Sequence, residues 1–247
     1  MMIARFYLPP PAWSGEELLL TGEEARHCAQ VTRHREGDCI GVFDGCGRLA
    51  TGPITALSRE QVRMRISELT TTPAPAHPLT LVQAMVKGDT MEWIIEKAVE
   101  LGVQRVIPWA AQRSIVRLNG PEAARKREKW QRVALEACKQ CGQTWLPDVA
   151  APATLDQVLE ETATAGLRLA ASLQPDARSL RQLLGKGPPP PGGMAVLIGP
   201  EGDVTPDEAI KFQAAGWLPW SLGALTLRSE TAAICALSIL RYEVHTD

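Results

Sequence analysis

The sequence predicts an α/β protein of two domains, in which a small β domain precedes a larger domain with a mainly parallel sheet. Three observations support this fold class. Roughly the first 70 residues contain short apolar runs separated by turn residues. The stretch from Thr70 to Pro78 reads TTTPAPAHP, the polar and proline-rich composition of a linker. From Leu79 onward, apolar runs typical of buried strands alternate with helical stretches.

The first domain contains four stretches with the composition of strands and one with the pattern of a helix. Asp44 and Gly45 mark a hairpin-type break between two of the strands. Thr21 and Glu24 have the spacing of a capping box, which predicts a helix from Ala25 to Thr32. The predicted strands are Arg5 to Leu8, Cys39 to Phe43, Arg48 to Ile54 and Gln61 to Leu69.

Strands and helices alternate in the second domain, so we expect ligands to bind beyond the carboxyl ends of its strands. The sharpest helix start is at Thr205, where an N-cap residue, a proline and Glu208 follow the capping-box pattern. The predicted strands are Leu79 to Val86, Val103 to Pro108, Leu167 to Ala171 and Ala195 to Ile198. The other predicted helices are Asp89 to Leu101 with an Asp89-Glu92 capping box, Pro121 to about Cys141, one capped by Thr154 and Gln157, and Glu230 to Val244. The expected domains are residues 1–72 and 79–247, joined by a linker at residues 73–78.

Composition excludes several classes of protein. The first twenty residues lack the continuous apolar run of a signal peptide, and no later stretch reaches membrane-spanning length. Six cysteines without a secretory signal are typical of reduced thiols in a cytoplasmic protein. Cys138 and Cys141 have the spacing of a metal or redox pair, but they fall within a predicted helix and lack a partner pair. We therefore expect a cytoplasmic protein with neither a membrane anchor nor a bound metal.

Positive charge is concentrated in one part of the chain, which we call the basic segment, from Arg105 to Arg132. It contains eight basic and two acidic residues, a net charge of +6 in a chain whose formal net charge is -2. Such a segment can hold a polyanion on one face of an otherwise acidic protein. A solvated helix face is the alternative that charge alone leaves open.

Two glycine-containing junctions lie between a strand and a helix near the C-terminus. The first glycine loop, from Val196 to Asp203, reads VLIGPEGD, and the second glycine loop, from Leu222 to Ala232, reads LGALTLRSETA. Glycine lets a backbone approach a ligand closely, and each loop leads into a helix N-terminus, so either one is a plausible nucleotide site. The absence of a Lys-Ser/Thr pair and of the dinucleotide glycine pattern argues against a phosphate-binding P-loop or a Rossmann fingerprint.

These motifs, with several others in order, resemble those of a known family. IGPEG before a capped helix, followed by LG-x-x-x-LR-x-ETA, resembles the cofactor signature of the knotted SPOUT methyltransferases. RFYL, EARHCAQVTRHREGD, KGDTMEWIIEKAVELGV, the Arg113-Ser114 pair and EACKQCGQ narrow the resemblance to the RsmE family. The match runs from about Arg5 to Arg241.

The resemblance implies a fold, an activity and partners. It implies an N-terminal PUA-like β-barrel, a C-terminal SPOUT domain with a trefoil knot, and a homodimer. The implied reaction is S-adenosylmethionine-dependent methylation of N3 of a uracil, uracil 1498, in the 16S ribosomal RNA of the small subunit. A noncatalytic RNA-binding or ribosome-assembly protein on the same fold is the alternative. Naked RNA and the assembled subunit both stay open as substrates.

The resemblance also implies site residues. The catalytic set is Arg228, Glu230 and Glu201. The cofactor-binding set is Leu197, Ile198, Gly199, Pro200, Glu201, Gly202, Leu222, Gly223, Leu225, Leu227, Thr231 and Ala232. The RNA-binding set is Arg5, Arg33, Arg113, Arg117, Arg125, Lys126, Arg127 and Lys129. Asp203 departs from the glycine common in the family, and Lys139 and Gln143 depart from its acidic and arginine residues, so the roles of Lys139 and Gln143 stay open.

The expected chemistry explains why charged residues belong in this set. Uracil N3 becomes nucleophilic mainly when its proton leaves, so the reaction needs a base or stabilisation of charge on the flanking carbonyl oxygens. An arginine stabilises such charge because its planar fork is permanently cationic. A carboxylate can accept the proton, and the sequence does not decide which one does. His27 matches a family position, and both a packing or capping role and an RNA contact stay open for it. Trp93, Trp109 and Trp130 could stack on bases, but packing is the ordinary role of tryptophan at helical or strand positions.

Overall fold

The computed structural model describes residues 3–114, 120–185 and 190–244. The chain divides into two compact units. The first comprises Met1–Ala74 together with Cys138–Leu146, and the second comprises Pro75–Ala137 together with Pro147–Asp247. Within the described ranges, no helix combines the length and the apolarity that a membrane span requires.

The first unit is built on a six-stranded sheet with the strand order β1-β3-β4-β5-β2, in which β6 pairs with β4. Its strands are β1 (Arg5–Tyr7), β2 (Glu17–Thr21), β3 (Cys39–Phe43), β4 (Arg48–Leu57), β5 (Gln61–Arg65) and β6 (Glu68–Thr71). The helix α1 (Gly22–Arg26) continues into a π-turn over His27–Val31. At Gly52, in β4, a Cβ atom would collide with the carbonyl of Arg65. Glycine at this position therefore allows the backbone of Arg65 to approach β4 closely.

Sequence and structure differ at the start of α1. The sequence predicted a capping box between Thr21 and Glu24, but the Thr21 side chain makes no cap hydrogen bond. Glu24 instead accepts a hydrogen bond from the Tyr7 backbone N–H at 3.1 Å and forms an ion pair with Lys139. The capping prediction is wrong here because two partners distant in sequence engage the carboxylate.

The segment Cys138–Leu146 packs within the first unit although it lies far along the chain. The indole Nε1–H of Trp145 donates to the carbonyls of Thr72 and Pro73 at 3.0 and 3.1 Å. Cys138 is fully buried, and burial raises the pKa of its thiol to about 12. The end of one helix and the turn after it therefore belong to the first unit, although the rest of that unit lies far away in the sequence.

The second unit is organised around a six-stranded parallel sheet with the order β12-β10-β11-β7-β8-β9. Its strands are β7 (Leu79–Ala84), β8 (Arg105–Trp109), β9 (Asp148–Val149), β10 (Leu167–Ala171), β11 (Met194–Ile198) and β12 (Leu218–Trp220). Its helices are α2 (Thr90–Glu100), α3 (Gly120–Cys141), α4 (Leu155–Glu161), α5 (Leu180–Leu184), α6 (Pro206–Ala214) and α7 (Ser229–Val244). Every residue of β11 is buried, as expected for a strand covered on both faces.

Two of the helix starts that the sequence predicted have the expected caps. Thr154 with Gln157 and Thr205 with Glu208 form complete capping boxes. The Asp89 side chain, in contrast, makes no cap hydrogen bond, and Glu92 pairs with Lys129 on α3. Trp109 and Trp130 are buried as the packing interpretation expects, whereas Trp93 is 44% exposed.

Candidate functional site

A cleft of about 320 Å³ lies beyond the carboxyl ends of β10 and β11. Both glycine loops line it, together with the residues that follow β10. This position is the usual place for a ligand in an open α/β sheet. Its lining residues are Ala171, Ser172, Leu173, Ile198, Gly199, Pro200, Glu201, Asp203, Leu222, Gly223, Leu225, Thr226, Leu227, Arg228, Ser229 and Ala232.

The first glycine loop is held by the start of α6. Glu208 is buried, and its Oε2 accepts hydrogen bonds from Thr205 N–H at 2.9 Å and from Thr205 Oγ1 at 3.0 Å. Its Oε1 accepts the Gln112 N–H at 2.7 Å. Next to these groups, Arg113 Nη1 donates to the Gly202 carbonyl at 2.7 Å. The turn after β11 is thus fixed from two sides.

Asp203 ends the first glycine loop in a left-handed conformation, with φ of +61°. Aspartate adopts this conformation more readily than most residues because its short side chain bonds locally. Here its Oδ1 accepts the Val204 N–H at 2.8 Å. The substitution of aspartate for the glycine that the family resemblance leads one to expect is therefore accommodated.

The second glycine loop gives the cleft an apolar and open wall. Gly223 has φ of +125°, and a Cβ built there would meet no heavy atom within 4 Å. Leu225 is 77% exposed although it is a large apolar residue. The described part of this loop therefore offers uncovered backbone and leucine side chains to a ligand.

The two glycine loops are joined by Ser229, the first residue of α7. Its side chain is buried, and its Oγ donates to the Gly199 carbonyl at 3.1 Å. The same oxygen accepts a hydrogen bond from Gln83 Nε2 at 2.8 Å. Neither Gln83 nor Ser229 was predicted from the sequence as a site residue. A glutamine within the apolar run LTLVQAMV was the available signal, because a buried strand needs a reason to contain an amide.

The structure brings most of the expected cofactor-binding and catalytic residues together and leaves a few aside. Those that line the cleft are Ile198, Gly199, Pro200, Glu201, Leu222, Gly223, Leu225, Leu227, Arg228 and Ala232. Gly202 contributes its carbonyl to Arg113 instead. Leu197 lines a neighbouring cavity of about 450 Å³, while Glu230 and Thr231 lie on α7 outside the cleft lining. Sequence reasoning did not select Ala171, Ser172, Leu173, Asp203, Thr226 or Ser229.

The charged candidates for catalysis occupy different positions. Glu201 and Arg228 are exposed and line the cleft. Glu230 is partly buried and belongs to the first turn of α7. Glu201 is therefore the carboxylate of this set with access to a ligand in the cleft.

The expected RNA-binding residues are spread over both units. In the second unit, Arg113 contacts the first glycine loop, and Arg117 lies outside the described residues. In the first unit, Arg33 is exposed and adopts φ of +56°, an uncommon conformation for a residue with a side chain. Arg5 Nη1 is buried, and a Cβ at Gly142 would clash with its guanidinium. Arg125 and Arg127 are exposed on α3.

Comparison with known proteins defines the class to which this fold and cleft belong. Residues 72–241 match the family model described as an RNA methyltransferase domain, and residues 20–67 match the model described as an RNA methyltransferase PUA domain. The chain therefore has a PUA domain followed by an RNA methyltransferase domain, which confirms the fold class in this coarser form.

Full-length relatives identify the family within this class. The ribosomal RNA small subunit methyltransferase E of Mycobacterium bovis is 30% identical over 96% of this chain and 90% of its own length. That of Bacillus subtilis is 30% identical over 91% and 89%. The chain belongs to the ribosomal RNA small subunit methyltransferase E family, so the resemblance to the RsmE family is confirmed.

Two solved structures show the same fold with a cofactor. The Neisseria gonorrhoeae ribosomal RNA small subunit methyltransferase E, bound to S-adenosylmethionine, is 30% identical, with a TM-score of 0.85 over 98% of each chain. A Legionella pneumophila protein described as a methyltransferase, also in complex with S-adenosylmethionine, is 32% identical, with a TM-score of 0.88 over 98% of each chain.

Proposed function

We propose that this protein transfers a methyl group from S-adenosylmethionine to N3 of a uracil, uracil 1498, in the 16S ribosomal RNA of the small subunit. The observation that carries the proposal is the cleft between the two glycine loops. It occurs in a chain whose relative from Neisseria gonorrhoeae has the same family name and is bound to S-adenosylmethionine. The family name of the relatives supports the RNA substrate.

The residues of the cleft fit this cofactor. Its volume of about 320 Å³ lies in the range of small-molecule sites, and its walls combine leucine side chains with exposed backbone. Leucines such as Leu222 and Leu227 can enclose an adenine ring, while backbone groups near Gly199 and Gly223 can hydrogen-bond its edge and the ribose. The open space beside Gly223 leaves room for close approach.

The side chains at the cleft can assist a methyl transfer in distinct ways. When bound, S-adenosylmethionine supplies a methyl group on a positively charged sulfur. Arg228 stabilises negative charge on the uracil carbonyl oxygens as N3 loses its proton, because a guanidinium bridges two oxygens and stays cationic. Glu201 accepts the N3 proton in this proposal, since it lines the cleft and Glu230 does not. The walls align the acceptor nitrogen with the methyl carbon.

The finer features of the family fold belong to the same proposal. We propose that the segment with both glycine loops is threaded as a trefoil knot. We also propose that the domain boundary lies at residues 73–78 and that the PUA-like domain binds RNA.

We also propose a cytoplasmic homodimer acting on the assembled small subunit. Large exposed apolar side chains on α2, α7 and the second glycine loop support a protein interface: Trp93, Tyr242 and Leu225. Light scattering that gives a monomer mass for the fully active protein would contradict the homodimer.

The decisive experiment combines cofactor binding with mapping of the methylated nucleoside. Calorimetry should show that the purified protein binds S-adenosylmethionine. Incubation with unmethylated small subunits and with naked 16S RNA should yield 3-methyluridine, in larger amount on the subunits. Glu201→Gln should slow the reaction more than it weakens cofactor binding. Binding of RNA without binding of S-adenosylmethionine would instead support the noncatalytic alternative.

A further inference from the structure

Gln83 is a fully buried amide at the carboxyl end of a strand in the middle of the parallel sheet. It lies opposite Ile198 of β11 on one side and Pro108 of β8 on the other. Burying an amide side chain is unfavourable unless it forms hydrogen bonds. Its Oε1 has no hydrogen-bond partner among the described residues, so the bonds of its nitrogen should explain its presence.

The amide nitrogen of Gln83 uses both of its hydrogens. Nε2 donates to the carbonyl of Ala84 at 3.0 Å and to Ser229 Oγ at 2.8 Å. Since Ala84 O can only accept, the nitrogen and not the oxygen of the amide must face it. Ser229 then has its own hydrogen free, and it donates that hydrogen to Gly199 O at 3.1 Å.

This chain of hydrogen bonds joins the two walls of the cleft. Gly199 lines the cleft from the first glycine loop and Ser229 from the second, whereas Gln83 does not line it. Gln83 therefore acts on a ligand through Ser229. A hydroxyl whose acceptor site is filled by an amide has one preferred direction for its hydrogen, here toward Gly199. The separation of the loops is thus set before a ligand arrives, and preorganisation of this kind raises affinity.

We propose that Gln83 is a positioning residue for methyl-donor binding, which clamps Ser229 against the Gly199 carbonyl and holds the two glycine loops at the separation that the cofactor needs. The inference rests on the proposed function, because it takes the cleft to be the S-adenosylmethionine site. It adds to that function a residue that neither lines the cleft nor belongs to either glycine loop.

Calorimetry with S-adenosylmethionine and with S-adenosylhomocysteine tests the proposal without reference to turnover. Gln83→Met keeps the length of the side chain but removes the donors, and it should weaken binding of both ligands about 10-fold, the scale of one buried hydrogen bond. Ser229→Ala should weaken binding similarly. The double variant should be no weaker than the weaker single variant, since both changes break the same connection. Ser229→Thr keeps the hydroxyl and should bind within about three-fold of the unchanged protein.

A matched control separates positioning from general loss of stability. Thr162 is also buried, and its Oγ1 donates to the Val158 carbonyl at 2.6 Å at the end of α4, outside the cleft lining. Thr162→Val should lower the free energy of unfolding while leaving both affinities unchanged.

The outcomes distinguish this inference from the proposed function. If the unchanged protein binds neither ligand, the proposed function fails, and the inference fails with it. If the unchanged protein binds and Gln83→Met binds equally well, or if the two single effects simply add, the inference alone is overturned. Should Gln83→Met not fold, the Ser229 variants decide: loss in Ser229→Ala with recovery in Ser229→Thr supports the clamp, and unchanged affinity in Ser229→Ala overturns it.

Discussion

Lys129 Nζ lies 2.5 Å from Glu92 Oε1, so a cation of the basic segment is paired with a carboxylate on α2. The pairing of the Lys129 ammonium with the Glu92 carboxylate, which accepts from it, raises the pKa of Lys129. Arg127 is also engaged, since its Nε donates to the Val149 carbonyl at 3.0 Å. Arg125 and Lys126 form no ion pair within the described part of the chain. The basic segment therefore contains both engaged and available cations.

The available cations should contribute more to RNA binding than the engaged ones. Replacing Arg125 and Lys126 by alanine should lower RNA affinity and reduce the slope of log affinity against log salt by about two, one for each lost phosphate contact. Replacing Arg127 and Lys129 should change the slope less, because those side chains already hold protein partners. Filter binding across a salt series measures both variants. An equal change of slope in the two would contradict this prediction.

The sequence predicted those strands and helices that depend on a local pattern of residues. β3 and β10 have the predicted bounds because each is a short apolar run between turn residues. The helix that begins after Thr205 follows from its capping box. In contrast, β12 has three residues and depends on its pairing with β10, so the local pattern gave no indication of it.

The same distinction applies to the candidate site. The two glycine loops are recognisable as motifs, but Gln83 and Ser229 are 146 residues apart in sequence and meet only in the folded sheet. At Glu24, in contrast, a local motif predicted a contact that the folded structure replaces. Its spacing from Thr21 indicated a cap, but the fold supplies Lys139 and the Tyr7 backbone as partners.

Glu208 should stabilise the protein more than an ordinary capping-box residue. Glu208→Ala removes hydrogen bonds to Thr205 and to the Gln112 backbone, so the free energy of unfolding should fall by about 2–3 kcal/mol. Gln157→Ala is the matched control, because Gln157 occupies the same position in the more exposed box with Thr154 and should cost about 1 kcal/mol. Urea unfolding at constant slope measures both. Equal losses would show that the Gln112 contact contributes nothing.

Cys138 should make the protein less stable at alkaline pH. Burial raises the pKa of its thiol from 9.0 to about 12, so above pH 9 the unfolded thiol ionises while the folded one stays protonated. The unfolded state then binds fewer protons, and the free energy of unfolding falls by up to about 1.4 kcal/mol per pH unit from this group.

Substitution at this position tests the effect directly. Cys138→Ala should reduce the loss of stability between about pH 9 and about pH 11 in urea unfolding. Cys141 is exposed at the end of the same helix and makes the smaller, Coulombic contribution to the raised pKa of Cys138, so Cys141→Ala should reduce the alkaline loss less than Cys138→Ala does. The assignment to Cys138 would be wrong if the Cys138→Ala variant showed the same alkaline loss as the unchanged protein.

Arg228 should stabilise charge that develops on the uracil during methyl transfer. It is exposed at the cleft, directly before the buried Ser229 that fixes the start of α7, so its backbone is held while its side chain is free to reach a base. Arg228→Ala should lower the single-turnover rate at saturating RNA and S-adenosylmethionine by roughly 10² to 10³, the scale of one preorganised donor to an oxyanion. Arg228→Lys should recover only part of the rate, because it keeps the charge but loses the planar fork.

Cofactor affinity, measured by calorimetry on the same variants, should change much less than the rate, since cofactor binding alone develops no charge on the base. A near-normal rate in Arg228→Ala, or a defect confined to cofactor affinity, would mean that Arg228 only shapes the cleft.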